Sequence, residues 1–166
     1  MAVELDELSN DLDRVCGVLT GMFLQMKKSR AEGQAFIAGM TAEGKFDVTT
    51  VVTLGRSESN RHQMGLLVNA LRQKDQEAHY IAVGIALDVA FTDQANGRKT
   101  DALYVCLEDR QGNAKDVVFP YKKKLLGGFR LETPRTKVTE PRVYGPKGDE
   151  LVALIQDKVR TVYPGK

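Results

Sequence analysis

The sequence predicts an α+β fold: a single domain with a mainly antiparallel sheet of five or six strands and three helices packed on it, in the order α-β-β-α-β-β-β-(β)-α. Three observations predict it. Between His79 and Tyr121 three apolar, β-rich segments follow one another with turn residues between them, Leu5 to Met26 carries a helical seam, and a second amphipathic stripe runs from Leu151 to Val162. A chain of 166 residues buries roughly two-thirds of the surface its unfolded form exposes, so neither a metal nor a disulfide framework is needed to hold it.

The first helix comes from Leu5, Leu8, Leu12, Val15, Leu19, Met22 and Met26, which alternate steps of three and four, with Cys16 and Phe23 widening the stripe. Asp6, Asp11, Asp13 and Arg14 occupy the opposite face. Lys27, Lys28 and Arg30 gather at the end, where cations complement the helix dipole, and Gly33 is a stop signal. A seam of this length also suits a self-associating helix, but Gly17 and Gly21 lower its independent stability, so a helix laid on a sheet is the first expectation.

Gln34–Met40 and Phe46–Leu54 then form a β-hairpin around Thr41–Lys45, and the imperfect alternation of Val and Thr in the second strand marks it as half covered. A second helix follows Gly55-Arg-Ser57, with Ser57 or Ser59 as N-cap and Met64, Leu67, Val68 and Leu71 on one face. The segment His79–Phe91 is long enough to cross the middle of the sheet or to carry a bulge at Gly84. Thr92–Asp101 is a polar loop around Asn96-Gly97, and Ala102–Leu107 and Lys115–Tyr121 pair through the turn Glu108–Asn113. Phe129–Glu132 is a short strand, Thr133–Arg142 is extended because Pro134 and Pro141 interrupt it, and Leu151, Val152, Ile155, Val159 and Val162 share the inner face of a last helix.

The element order resembles that of roadblock, longin and profilin-type domains, in which a helix crosses between the second and third strands of a five-stranded sheet. The passage from an apolar hairpin and a helix to Asp101-Ala-Leu-Tyr-Val-Cys-Leu-Glu108, and on through a Gly turn to Val117-Val-Phe-Pro-Tyr-Lys122, is similar to small bacterial α+β proteins without assigned chemistry. Both resemblances imply a fold and no activity.

Composition narrows the function classes. Charged residues make up 28% and hydrophobic residues 42%, the balance of a globular chain. No window approaches the roughly 20 apolar residues of a spanning helix and the N-terminus is acidic, so a cytoplasmic protein with no membrane contact is expected. Cys16 and Cys106 lie far apart in apolar runs and read as reduced core thiols. His62 and His79 lack partners at metal-ligand spacing, and nucleotide loops and nucleophile elbows are absent, so no metal, cofactor or catalytic residue is expected.

Charge is uneven along the chain. Residues 1–120 carry a net −4 and residues 121–166 a net +6. Lys122, Lys123 and Lys124 followed by Gly127 and Gly128 form a candidate anion site, because glycine amides and lysines together suit a phosphate. With Arg130, Arg135, Lys137, Arg142 and Lys147, and with Tyr121, Phe129 and Tyr144 as stacking surfaces, the same quarter supports a nucleic-acid or polyanion alternative. The Thr92–Asp101 loop supplies a second candidate site at Asp93, Asn96, Arg98 and Asp101. An enzymatic alternative rests there too, on carboxylates such as Asp88, Asp93, Asp101, Glu108 and Asp109. The leading expectation is a non-enzymatic binding or regulatory module acting through protein contacts, including a homodimer through the first helix or an edge strand.

Overall fold

Small side chains on one face of the central strand and branched ones on the other set the architecture. The computed structural model describes residues 2–28, 34–52, 60–92 and 94–162, with side chains over 11–28, 35–51, 60–92 and 94–155. Its elements are α1 (Ala2–Lys28), β1 (Gln34–Met40), β2 (Phe46–Val52), α2 (Asn60–Ala78), β3 (Ala82–Thr92), β4 (Lys99–Asp109), β5 (Ala114–Lys123), β6 (Phe129–Leu131), β7 (Arg135–Val138) and α3 (Asp149–Val162). The fold is the expected α+β arrangement, three helices on a mainly antiparallel sheet. The sheet order is β2-β1-β3-β4-β5-β6, with β7 also on β5. It has seven strands, more than the expected five or six, because part of the proline-interrupted segment pairs as β7.

β3 crosses the middle of the sheet between β1 and β4 in unbroken register. Gly84 therefore marks no bulge. A Cβ there would lie 2.6 Å from Leu19 Cδ1 and 2.7 Å from Val15 Cγ1, so the glycine lets α1 approach the strand. Ala82 and Ala86 continue this flat strip, and the buried α1 residues Leu12, Val15, Leu19, Phe23 and Met26 lie on it with Phe36, Met40, Leu103, Val105 and Leu107. From Leu12 to Met26 the helical seam is thus taken up by the sheet. Gly33, Ser57 and Ser59 lie outside the described residues, as do the side chains of Leu5, Leu8, Val159 and Val162.

The opposite face carries Ile37, Val83, Ile85, Leu87 and Cys106, covered by Met64, Leu67, Val68 and Leu71 of α2. α3 packs on α2, where a Cβ on Gly65 would sit 2.3 Å from the Leu151 carbonyl oxygen. β3 begins three residues later than the sequence suggests, because His79 takes a left-handed conformation (φ 52°) that ends α2, and Tyr80 turns its ring under Gly39. The Tyr80 hydroxyl then donates to Asp47 at 2.9 Å.

Candidate functional site

Between the start of α2, the far half of β3, β4, β5, β7 and the start of α3 lies a cleft of about 620 Å³. That volume suits a drug-sized ligand. Its floor is apolar, formed by Met64, Leu87, Val89, Val118 and Leu151, and β3 passes into it as its burial gives way near Ala90 and Phe91. The rim is cationic: Arg61, Arg135, Arg142 and Lys147 face the space, with Glu150 as the carboxylate among the lining residues.

A buried polar network fixes part of this rim. Arg142 donates from Nη1 and Nη2 to the two oxygens of Asp116, at 2.8 and 2.9 Å, and both side chains are about nine-tenths buried (11% and 8% exposed). The Tyr104 hydroxyl donates to the same carboxylate. Burial pushes the Asp116 carboxyl up, but the hydrogen bonds from Arg142 and Tyr104 and the guanidinium charge outweigh it and hold the group below its ordinary 3.8. The bond to Asp116 drives the Arg142 pKa higher still, and burial first, then neighbouring acids, pushes the Tyr104 hydroxyl and the Cys106 thiol up.

Arg142 owes its place to a second anchored segment. The chain from Pro141 to Gly145 has no regular structure, yet Glu108, on β4, accepts backbone N–H groups from Arg142, Val143 and Tyr144 at 2.8 Å each. Burial raises the Glu108 carboxyl above its ordinary 4.5 while those three amides hold the shift back. From the other side Arg72 Nη2 donates to the carbonyls of Arg142 (2.8 Å) and Gly145 (3.0 Å) and pairs with Asp149 at 2.9 Å. Tyr144 donates to Asp75 (3.1 Å) and to the Tyr80 carbonyl (3.0 Å). Arg110 stacks on its ring at 4.7 Å and pairs with Asp75 at 2.6 Å.

The sequence candidates divide between two places. Arg135, Arg142 and Lys147 reach the cleft. Lys122, Lys123, Lys124, Gly127 and Gly128 form a separate hairpin between β5 and β6, where Lys122 lies opposite Arg130 and Lys123 opposite Phe129. The stacking surfaces foreseen for a nucleic acid turn inward: Tyr121 is buried, Tyr144 is engaged as above, and Phe129 is half-buried against Tyr121.

Asn96, Arg98 and Asp101 are not in the cleft lining. Asp93 lies outside the described residues. Asn96 accepts the Arg98 N–H at 2.9 Å and closes the turn, and Asp101 stands in β4 opposite Ala90, because β4 begins at Lys99 and leaves a shorter loop than Thr92–Asp101.

The other carboxylates have structural partners. Asp88 pairs with Lys27 at 2.6 Å and accepts the Tyr121 hydroxyl at 2.7 Å, and Asp109 accepts the N–H groups of Gln111 and Asn113 in the β4–β5 turn. Cys16 and Cys106 are both free, and no group of three potential metal ligands occurs among the described residues. Burial first, with Lys115 opposing it, pushes the Cys16 thiol up to about 11.

Met64 and Leu151 read in the sequence as inward helix residues, and Leu87 and Val118 lie within predicted strands; nothing in that pattern marks them as the floor of a cleft. The readable signal was Phe91, a large apolar residue where β3 leaves the core for a polar turn. In comparisons with family models, curated proteins and solved structures, nothing matches this chain. Its chemistry must be read from its own geometry.

Proposed function

We propose that the protein is a non-catalytic binding or regulatory module whose cleft holds an amphiphilic anion, an apolar body ending in a carboxylate, sulfonate or phosphate. The observation that carries this reading is an apolar floor of drug-ligand size rimmed by Arg61, Arg135, Arg142 and Lys147. An apolar body gains by leaving water at the floor, and an acidic head gains from guanidinium groups that offer paired donors. Arg142 is already oriented by Asp116, so little side-chain entropy is lost when it meets a ligand.

The shifted groups that line the cleft favour binding over proton transfer. Tyr104 and Arg142 are shifted upward and the Asp116 carboxyl that partners them downward, all away from neutrality, whereas an acid–base catalyst works best with a pKa near the working pH. In this reading the protein contacts expected of the module depend on whether the cleft is filled.

Anilinonaphthalene sulfonate, an aromatic body with one acidic group, tests the reading against neutral N-phenylnaphthylamine. The expected result is saturable binding of one sulfonate probe per chain, with the neutral analogue at least about tenfold weaker. Arg135→Glu, an exposed rim change, should weaken the sulfonate probe by about tenfold or more and leave the neutral one unchanged. Equal affinity for both probes, or no effect of Arg135→Glu, would defeat the proposal.

A further inference from the structure

We infer that the β5–β6 hairpin is an insertion tip for an anionic lipid surface, Leu125 and Leu126 entering the acyl boundary while the neighbouring cations meet the headgroups. Both leucines stand fully in solvent, at 106% and 102% exposure, side by side at the apex. The turn beneath them is closed by the Lys124 N–H donating to the Gly128 carbonyl at 2.9 Å, with Gly127 and Gly128 at φ 94° and 80°. That backbone needs glycine, and it presents the leucines outward.

The stem under this tip is firmly held. Phe23, Tyr121 and Phe129 stack edge to face at 5.3 and 5.6 Å. The Lys27 ammonium sits 5.1 Å from the Tyr121 ring and 5.5 Å from that of Phe129, and pairs with Asp88. The leucines are therefore displayed on a fixed support, and inserting them orders little that is not already ordered.

Charge decides what they meet. Lys122, Lys123 and Lys124 precede the apex and Arg130 follows it, with Glu132 paired to Arg130 at 3.3 Å. Ala102 lies opposite Pro120, so Lys99 reaches the same end of the sheet as Lys123, and exposed Lys28 ends α1, the helix whose Lys27 touches the stem. Asp101 is the exposed carboxylate on β4 at this end.

A protruding apolar wedge without a surrounding groove offers little area to a protein partner, which needs about 800 Å² on each side. A lipid interface accepts such a wedge, and its anionic headgroups add attraction for each nearby lysine or arginine. This is attachment to a surface, since no described helix is long and apolar enough to cross a membrane. It departs from the expectation of no membrane contact, which rested on the lack of a spanning window.

The chain contains no tryptophan, so Leu126→Trp supplies a single reporter at the apex. Flotation with phosphatidylcholine vesicles, with and without phosphatidylserine, should recover the protein only with the anionic vesicles, and the new tryptophan should shift to the blue. Replacing both leucines by serine should weaken partitioning by about tenfold per leucine, and Lys123→Glu with Lys124→Glu by a similar factor that shrinks in high salt. Unchanged thermal melting certifies the fold of each variant, as expected where all four substituted side chains, Lys123, Lys124, Leu125 and Leu126, are exposed. Absent flotation, an unshifted tryptophan, or full binding by the serine variant would overturn the inference, the last by revealing a simple polyanion patch. Arg135→Glu should not alter flotation, which keeps this result separate from the cleft.

Discussion

At Gly84 the missing side chain sets how closely α1 lies on the sheet. The nearest atoms belong to Leu19 and Val15, both fully buried and surrounded by core side chains, so neither has free space to move into. Gly84→Ala should therefore destabilise the fold by about 1–3 kcal/mol through overpacking, even though alanine suits a strand interior better than glycine. Urea denaturation of the variant beside the parent checks this, and a neutral or stabilising result would mean that α1 sits less tightly than described. The glycine was legible as a special position, but its meaning depends on what packs across the sheet. A strand sequence reports its own two faces, not the distance of the helix above them.

Among elements, the clearest were those whose pattern is local: α1 from its seam, the β4–β5 hairpin from its turn, α3 from its stripe. The segment Pro141–Gly145 was opaque, because its order comes from partners distant in sequence. Glu108 holds three of its amides and Arg72 two of its carbonyls. The same distance hid the cleft, since Arg61 of α2 and Arg135 of β7 meet only when the sheet and α3 bring them together. The basic quarter, legible as one charge excess, is split in space: Arg135, Arg142 and Lys147 reach the cleft rim, whereas Lys122, Lys123, Lys124 and Arg130 belong to the β5–β6 hairpin. Glu108→Gln keeps the shape but removes the charge and turns an amide N–H₂ toward backbone donors. It should cost about 2–4 kcal/mol and speed hydrogen exchange at residues 142–144 well before α1 is affected. Uniform exchange changes throughout the chain, or none at 142–144, would show that this carboxylate does not organise the segment.

For the whole molecule, these buried networks define a pH window. Burial, helped by Asp47, pushes the Tyr80 hydroxyl up to about 12, and burial first also raises Tyr104 and Tyr144. A raised folded pKa means the fold prefers the neutral phenol. The associated stability is complete below the unfolded value of about 10 and is lost as pH climbs through the folded values. Asp116 works in the opposite sense: its lowered folded pKa contributes above its ordinary 3.8 and is lost as pH falls through the still lower folded value. Asp116 and the tyrosines together make stability fall in acid and in alkali; between these limits the raised Glu108 carboxyl withdraws some of it as pH climbs from 4.5, and the raised Cys16 and Cys106 thiols add to the alkaline loss from about pH 9. The alkaline side has a direct optical readout, because tyrosinate absorbs near 295 nm. Of the chain's five tyrosines, the three at positions 80, 104 and 144 should remain un-ionised near pH 10.5 in the folded protein and ionise together with unfolding at higher pH. In strong guanidinium all five should titrate near pH 10. If the native protein instead shows five ordinary titrations near pH 10 with its circular dichroism intact, the Tyr80–Asp47, Tyr104–Asp116 and Tyr144–Asp75 contacts are not the closed, dry arrangements on which the sheet and its cleft depend.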